Sequence, residues 1–194
     1  MPKNQPLSYT LRIDLVGSKP PIWRRIGVDS QITLGMLHEV IQAALGWTDS
    51  HLHAFQIGPD EFGNPDHDST GDLGFLDERK ARLDQLVGPG DKFIYRYDFG
   101  DDWEHRIKVE KSEPMETTPL SHAWLITGKR AGPPEDVGGM WGYEEFLETI
   151  SNPKNPQAEE MLEWAGGEFD PEWFDLEETK ADVQEASKRH RSRK

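Results

Sequence analysis

Lys92-Phe-Ile-Tyr-Arg-Tyr-Asp-Phe-Gly-Asp-Asp-Trp-Glu-His-Arg-Ile-Lys-Val109 decides the fold class of this chain. Phe93, Tyr95, Tyr97 and Phe99 fall on one side of the first run, and Trp103, His105, Ile107 and Val109 alternate with charged residues after them. Period-two alternation marks a half-buried strand. Gly100-Asp101-Asp102 between the two runs is turn chemistry. The stretch predicts a late antiparallel hairpin over 92–110, with its aromatic and apolar positions facing inward.

Working outward, Tyr9, Leu11, Ile13 and Leu15 form a similar run. Gly17-Ser-Lys-Pro-Pro21 turns the chain into a second one, with Ile22, Arg24, Ile26 and Val28 on one face. Leu34, Leu37, Ile41 and Leu45 then recur at helical spacing, with Thr33 placed to cap the start and Gly46 the end. His51 to Ile57 reads as a third strand, and residues 58–81 as a long loop holding one short strand. Residues 112–142 read as a loop region around the short apolar run from Ala123 to Ile126. Three helices close the chain. One is marked by Phe146, Leu147 and Ile150 and begins near Tyr143. The next opens at Asn155-Pro156 and ends at Gly166-Gly167, and the last opens at Asp170-Pro171. This order predicts an α+β fold with a mixed or antiparallel sheet, a hairpin–helix–strand start comparable to a β-grasp layout, and C-terminal helices. The expected organisation is one domain over 1–194 with a core of about 8–178. A polar, basic tail follows over 179–194.

Composition narrows the functional classes. The chain of 194 residues carries a net charge of −14, and an acidic body repels phosphate. Five of its 22 basic residues fall in the last seven positions, Lys188–Lys194, which is the one segment suited to nucleic acid. There is no cysteine, so thiolate nucleophiles and cysteine-held metals are excluded. No apolar run spans a membrane and no signal peptide is evident, so a cytoplasmic protein without a membrane partner is expected. Seven Trp, eight Phe and four Tyr can supply the core.

The candidate site residues fall in two groups. Arg130-Ala-Gly-Pro-Pro-Glu-Asp-Val-Gly-Gly-Met-Trp-Gly142 places Glu135 and Asp136 among Gly132, Pro133, Pro134, Gly138 and Gly139. Proline fixes φ and glycine admits positive φ, so this run encodes one loop shape that carries charge. Arg130 is placed to pair with either carboxylate, and both carboxylates also suit capping of the loop or the helix beyond it. The second group concerns a divalent metal. His51 and His53 lie two apart, about 7 Å at Cα on one strand face. His105 points inward from the hairpin, with Asp98 and Asp101 nearby. If the strands adjoin, three imidazoles converge on a transition metal. The plainer alternative makes His53 and His105 hydrogen-bonded core residues, with His51 on a loop.

Several long segments together resemble one family. They are Pro20-Pro-Ile-Trp-Arg-Arg25, Leu37-His38 through Gly46-Trp47, His51-Leu-His-Ala-Phe55, Tyr97 through His105, Arg130 through Gly139, Gly142-Tyr143 and Phe169-Asp-Pro-Glu-Trp-Phe-Asp175. The chain is identified by them as similar to the plasmid pRiA4b ORF-3-like family of bacterial and archaeal proteins, from about Tyr9 to about Leu176. The resemblance implies an α+β domain without an established activity, in a family associated with plasmids and mobile elements. Some of its members carry a resolvase label, but Tyr9-Thr-Leu-Arg-Ile-Asp14 lacks the serine of a serine recombinase, and no tyrosine-recombinase set is present. Relatives also carry cysteines near the Pro-Pro-Glu-Asp loop, and Leu125 and Gly132 stand in those places here.

With no nucleophile elbow, phosphate loop or dinucleotide motif, the sequence favours a binding or interaction module over an enzyme. Its surface for a protein or small-molecule partner is built from Arg130, Glu135 and Asp136 together with Asp98, Asp101 and Trp103. One alternative is a metal-dependent hydrolase or phosphodiesterase using His51, His53, His105, Asp98 and Asp101. The other is an accessory protein of mobile-element DNA recombination acting through the basic tail.

Overall fold

The alternating runs assemble into one eight-stranded sheet. The structure is a computed structural model, and it describes residues 6–67, 74–115, 120–152 and 154–189. Strands β1 (Leu7–Leu15), β2 (Trp23–Asp29), β3 (His53–Ile57), β4 (Asp60–Gly63), β5 (Leu76–Asp77), β6 (Lys92–Tyr97), β7 (Trp103–Pro114) and β8 (Ala123–Lys129) lie in the order β5-β4-β3-β6-β7-β1-β2-β8. Every pairing is antiparallel except β4 with β5. The α+β class is therefore as expected, and so is the late hairpin, with Tyr95 opposite His105 and Tyr97 opposite Trp103. Phe93, Tyr95, Tyr97, Trp103, His105, Ile107 and Val109 are all buried, while Phe99, in the turn, is exposed.

Helix α1 (Leu34–Leu45) crosses the inner face of the sheet, carrying the chain from β2 to β3 past the intervening β1, β7 and β6. Thr33 Oγ1 accepts from the Met36 N–H, and Gly46 ends the helix at φ 80°. The outer face mixes charged and aromatic side chains. There the Arg12 guanidinium lies over the Trp23 ring and Arg25 grips Glu110 through two hydrogen bonds. A short helix α2 (Leu83–Leu86) leads into β6, and α3 (Gly139–Ser151), α4 (Ala158–Trp164) and α5 (Leu176–Arg189) close the chain.

A charged side chain organises the inner layer. Arg24 is buried; its Nε donates to the Ala44 carbonyl at 2.6 Å, and its Nη1 donates to the carbonyls of Trp23 and Lys129. The last carbonyls of a helix have no partner inside it and carry partial negative charge, so a cation there satisfies both needs. Burial lowers the Arg24 pKa to about 10, which leaves it charged. The Phe174 ring packs against the guanidinium, and a Cβ at Gly128 would stand 2.7 Å from both the Phe174 ring and Arg24 Cδ.

Five expectations are corrected. The third strand begins at His53, not His51, because residues 48–52 form a loop with Asp49 at positive φ. The 112–142 region contains an edge strand, β8; Trp124 lies flat across β2, where a Cβ on Gly27 would stand 2.1 Å from its ring. Helix α3 starts at Gly139, because Gly138 turns the chain at φ 94° and accepts from the Gly142 N–H. The expected tail at 179 is helical. Asp175, not Asp170, caps α5 by accepting from the Glu177 and Glu178 N–H groups. Val183, Ala186 and Ser187 form the narrow stripe that packs the helix on α1 and β8. That stripe is too sparse to register as periodicity. Residues 190–194 of the basic segment lie outside the described residues.

Replacing Asp175 with Ala leaves the first N–H groups of α5 without their acceptor. Urea unfolding is expected to show a loss of about 1 kcal/mol.

Candidate binding cleft

Strand order decides which loops meet. Because β3 and β6 are neighbours, the chain entering β3 (residues 46–52) lies against the turn leaving β6 (98–102). The Pro/Gly loop between β8 and α3 is laid over both. The Trp47 indole N–H donates to the Pro133 carbonyl at 2.9 Å. A Cβ on Gly132 would lie 2.2 Å from the Leu45 carbonyl oxygen, so only glycine permits this approach. Arg130 is buried at φ 70° and reaches away from the loop carboxylates, to the Pro20 carbonyl and to Glu172 at 2.8 Å. It therefore anchors the loop and does not pair with Glu135 or Asp136. Asp101 does similar work, accepting from the Gly138 N–H at 3.0 Å.

Glu135 and Asp136 point different ways. Glu135 accepts from the Tyr97 hydroxyl at 2.5 Å, and from the Thr48 N–H and hydroxyl at 3.0 and 2.6 Å. Burial, and then the Glu135 carboxylate, push the Tyr97 pKa well above the usual phenol range. Asp136, at φ 61°, turns to His51. The His51 Nε2 atom is shielded from water, 3.0 Å from Asp136 and 3.8 Å from Asp98. Neither carboxylate is aligned to accept a hydrogen bond from it, so these are ion-pair distances only. His51, Asp98 and Asp136 each offer a ligand atom within 4.8 Å of the others, a set able to hold a cation. They stand beside a cleft of about 460 Å³ lined in part by Asp49, His51, His67, Asp98 and Phe99.

The three imidazoles expected to converge are divided. His53 faces α1, where its ring stacks on His38 at 3.4 Å between centroids. His105 sits on β7, two strands from β3 with β6 between them, a separation of about 10 Å. It is fully buried beside Trp47 and Tyr95, with Nδ1 3.2 Å from the Trp103 carbonyl. Burial lowers its pKa to about 3, so His105 is a neutral core residue. Trp103 is wholly buried too and belongs to the core, not to a surface.

Sequence reasoning missed a second polar group, made by His38, Gln42, Asp49, Glu78 and Tyr95. The signal was the pair His38 and Gln42, four apart on the buried face of α1, where apolar residues are the rule. His38, Asp49 and His53 form another set whose ligand atoms lie within 4.8 Å of one another. Burial lowers the His38 pKa, against an opposing hydrogen bond to Asp49.

Asp136 also opens a groove between α3 and α4. This second cleft, of about 350 Å³, has Val137, Phe146, Met161 and Trp164 on its apolar side and Asp136, Glu145 and Glu160 on its acidic side. Trp141 and Trp164 are 77% and 52% exposed, unusual for the largest apolar side chain.

A family model described as plasmid pRiA4b ORF-3-like protein matches residues 8–178, and the chain belongs to that family. It is 45% identical over 158 residues to the uncharacterized protein y4hQ of Sinorhizobium fredii, covering 80% of this chain and 79% of the relative. The crystal structure of a protein of unknown function, MM3350 of Methanosarcina mazei Go1, superposes with a TM-score of 0.79 at 35% identity. That match covers 90% of this chain and 98% of the other. Among the described residues, no helix is long and apolar enough to cross a membrane.

Tyr97→Phe removes one of the three donors to Glu135 and is expected to cost about 2 kcal/mol in urea unfolding, the range for a hydrogen bond to a charged group. His105 is neutral when folded but takes a proton near pH 6.5 when unfolded, so the unfolded chain binds more protons between about pH 3 and 6.5. Stability is expected to fall as pH drops through that window, and His105→Gln to flatten the slope.

Proposed function

We propose that this member of the plasmid pRiA4b ORF-3-like family is an interaction module that takes a basic segment of a partner protein. The segment lies in the groove between α3 and α4 and runs toward the His51–Asp98–Asp136 cluster. The observation that carries this reading is the position of Asp136, which lines the groove and also faces His51. Apolar floor and acidic rim occur together. Val137, Phe146, Met161 and Trp164 can receive one or two apolar anchors, and burying a leucine-sized side chain contributes roughly 1.5–3 kcal/mol. Asp136, Glu145 and Glu160 then select cationic neighbours, in keeping with the net charge of −14. The Pro/Gly loop supports recognition by being held in place before a partner arrives, which lowers the ordering cost of binding.

The hydrolase alternative rested on three imidazoles meeting at one point, and His51, His53 and His105 do not. The recombination alternative rests on Lys188–Lys194, of which Lys188 and Arg189 end α5.

Fluorescence anisotropy with a labelled Lys/Arg-rich peptide carrying two leucines tests the proposal. Binding is expected to weaken about tenfold, or about 1.4 kcal/mol, in Glu160→Lys and in Met161→Asp. It should also weaken near 1 M salt, where the screening length falls to about 3 Å. A peptide that binds equally to both variants, or no better than an acidic peptide with the same leucines, sinks the idea.

A further inference from the structure

His38 and His53 lie face to face inside the protein, with their rings 5° from parallel. Two carboxylates and a phenol hold the orientation of the two rings. His53 Nε2 stands 2.7 Å from Glu78 Oε2, and both side chains are at least nine-tenths buried. A carboxylate accepts from Nε2–H, and in that tautomer of a neutral imidazole Nδ1 carries the free lone pair. Among the described residues, that Nδ1 is shielded from solvent and has no hydrogen-bond partner. A buried polar atom left unpaired costs about 1–3 kcal/mol.

His38 is oriented as tightly. Its Nδ1 lies 2.8 Å from the Tyr95 hydroxyl, which also accepts from the Gln42 side-chain amide at 2.9 Å. Its Nε2 lies 2.9 Å from Asp49 Oδ1. Asp49 is held in turn, its backbone N–H donating to Gln42 Oε1 at 3.0 Å. Its side chain is 44% exposed and lines the 460 Å³ cleft, so the group is open to solvent on that side alone among these residues.

We propose that His38, Asp49 and His53 bind one borderline divalent cation of the zinc type. Two imidazoles and one carboxylate suit such an ion better than calcium or magnesium, which prefer oxygen ligands. Glu78 behind His53 and Tyr95 behind His38 supply the outer hydrogen bonds that orient metal-bound imidazoles. On binding, the His38 proton shifts from Nε2 to Nδ1, the Tyr95 hydroxyl turns its own proton away so that its oxygen accepts from Nδ1–H, and Nε2 faces the ion. A ring nitrogen lone pair lies in the ring plane, so the two stacked rings must also fan apart. The remaining coordination position opens through Asp49 to the cleft. This site is separate from the α3–α4 groove and stands or falls independently of it.

Untagged protein stripped with a chelator and titrated with Co2+ tests the site through its visible absorption, with Zn2+ as competitor and thermal melting alongside. One ion per chain and a Zn2+-dependent rise in Tm are expected. Asp49→Asn should weaken binding more than tenfold while keeping the fold, because asparagine tolerates positive φ. Glu78→Gln should weaken it about tenfold. His51→Ala should leave the spectrum unchanged. No cobalt band and no Tm shift in the wild type overturns the proposal. So does binding that survives Asp49→Asn and is lost in His51→Ala, which places the ion at His51, Asp98 and Asp136. Should Glu78→Gln fail to fold, Asp49→Asn at the solvent edge decides alone.

Discussion

The Glu135 carboxylate holds together the end of the protein where the loops before β3, after β6 and after β8 meet. It receives the Tyr97 hydroxyl from β6 and two donors of Thr48 from the loop behind α1. Hydrogen bonds to an ionised acceptor are roughly twice as strong as neutral ones. The Pro/Gly run gives the 130–138 loop its shape, but Glu135 gives it its place. With that place set, Asp136 is aimed at His51 and Val137 begins the wall of the α3–α4 groove.

The C-terminal end of α1 is the second hub. Its carbonyls are met from two sides: the Arg24 guanidinium donates to Ala44, and Gly132 packs against the Leu45 carbonyl. Trp47, just past the helix, takes the Pro133 carbonyl. A helix end needs such partners whatever its sequence. Here the residues that provide them also carry the loops of the cleft, so stabilising the helix and shaping the site are one arrangement.

A third feature is the polarity of the layer between α1 and the sheet. Tyr95, Gln42, His38 and Asp49 satisfy one another in a chain of hydrogen bonds, while His53 Nδ1 and His105 Nε2 have no partner among the described residues. Low local polarity strengthens the paired groups and penalises the unpaired ones. The two orphans differ in setting. His105 is enclosed by aromatic rings, whereas His53 lies against His38 and near an exposed carboxylate.

What the sequence determined by itself was local. Alternation from Phe93 to Val109 identified the central hairpin and its inward side chains, and Thr33 and Gly46 bounded α1, because period and capping are properties of neighbouring residues. The stiffness of the 130–142 loop was legible for the same reason. Tertiary structure decided the rest. Strand β8 depends on Gly27 making room for Trp124, and α5 depends on three buried positions that only α1 and β8 reveal. Strand order separated His53 from His105, the loop held by Glu135 brought Asp136 to His51, and only helix packing brought His38 onto His53. These pairings join residues from 15 to 85 positions apart in the chain, and contact at such separations is set by packing, which no local pattern encodes.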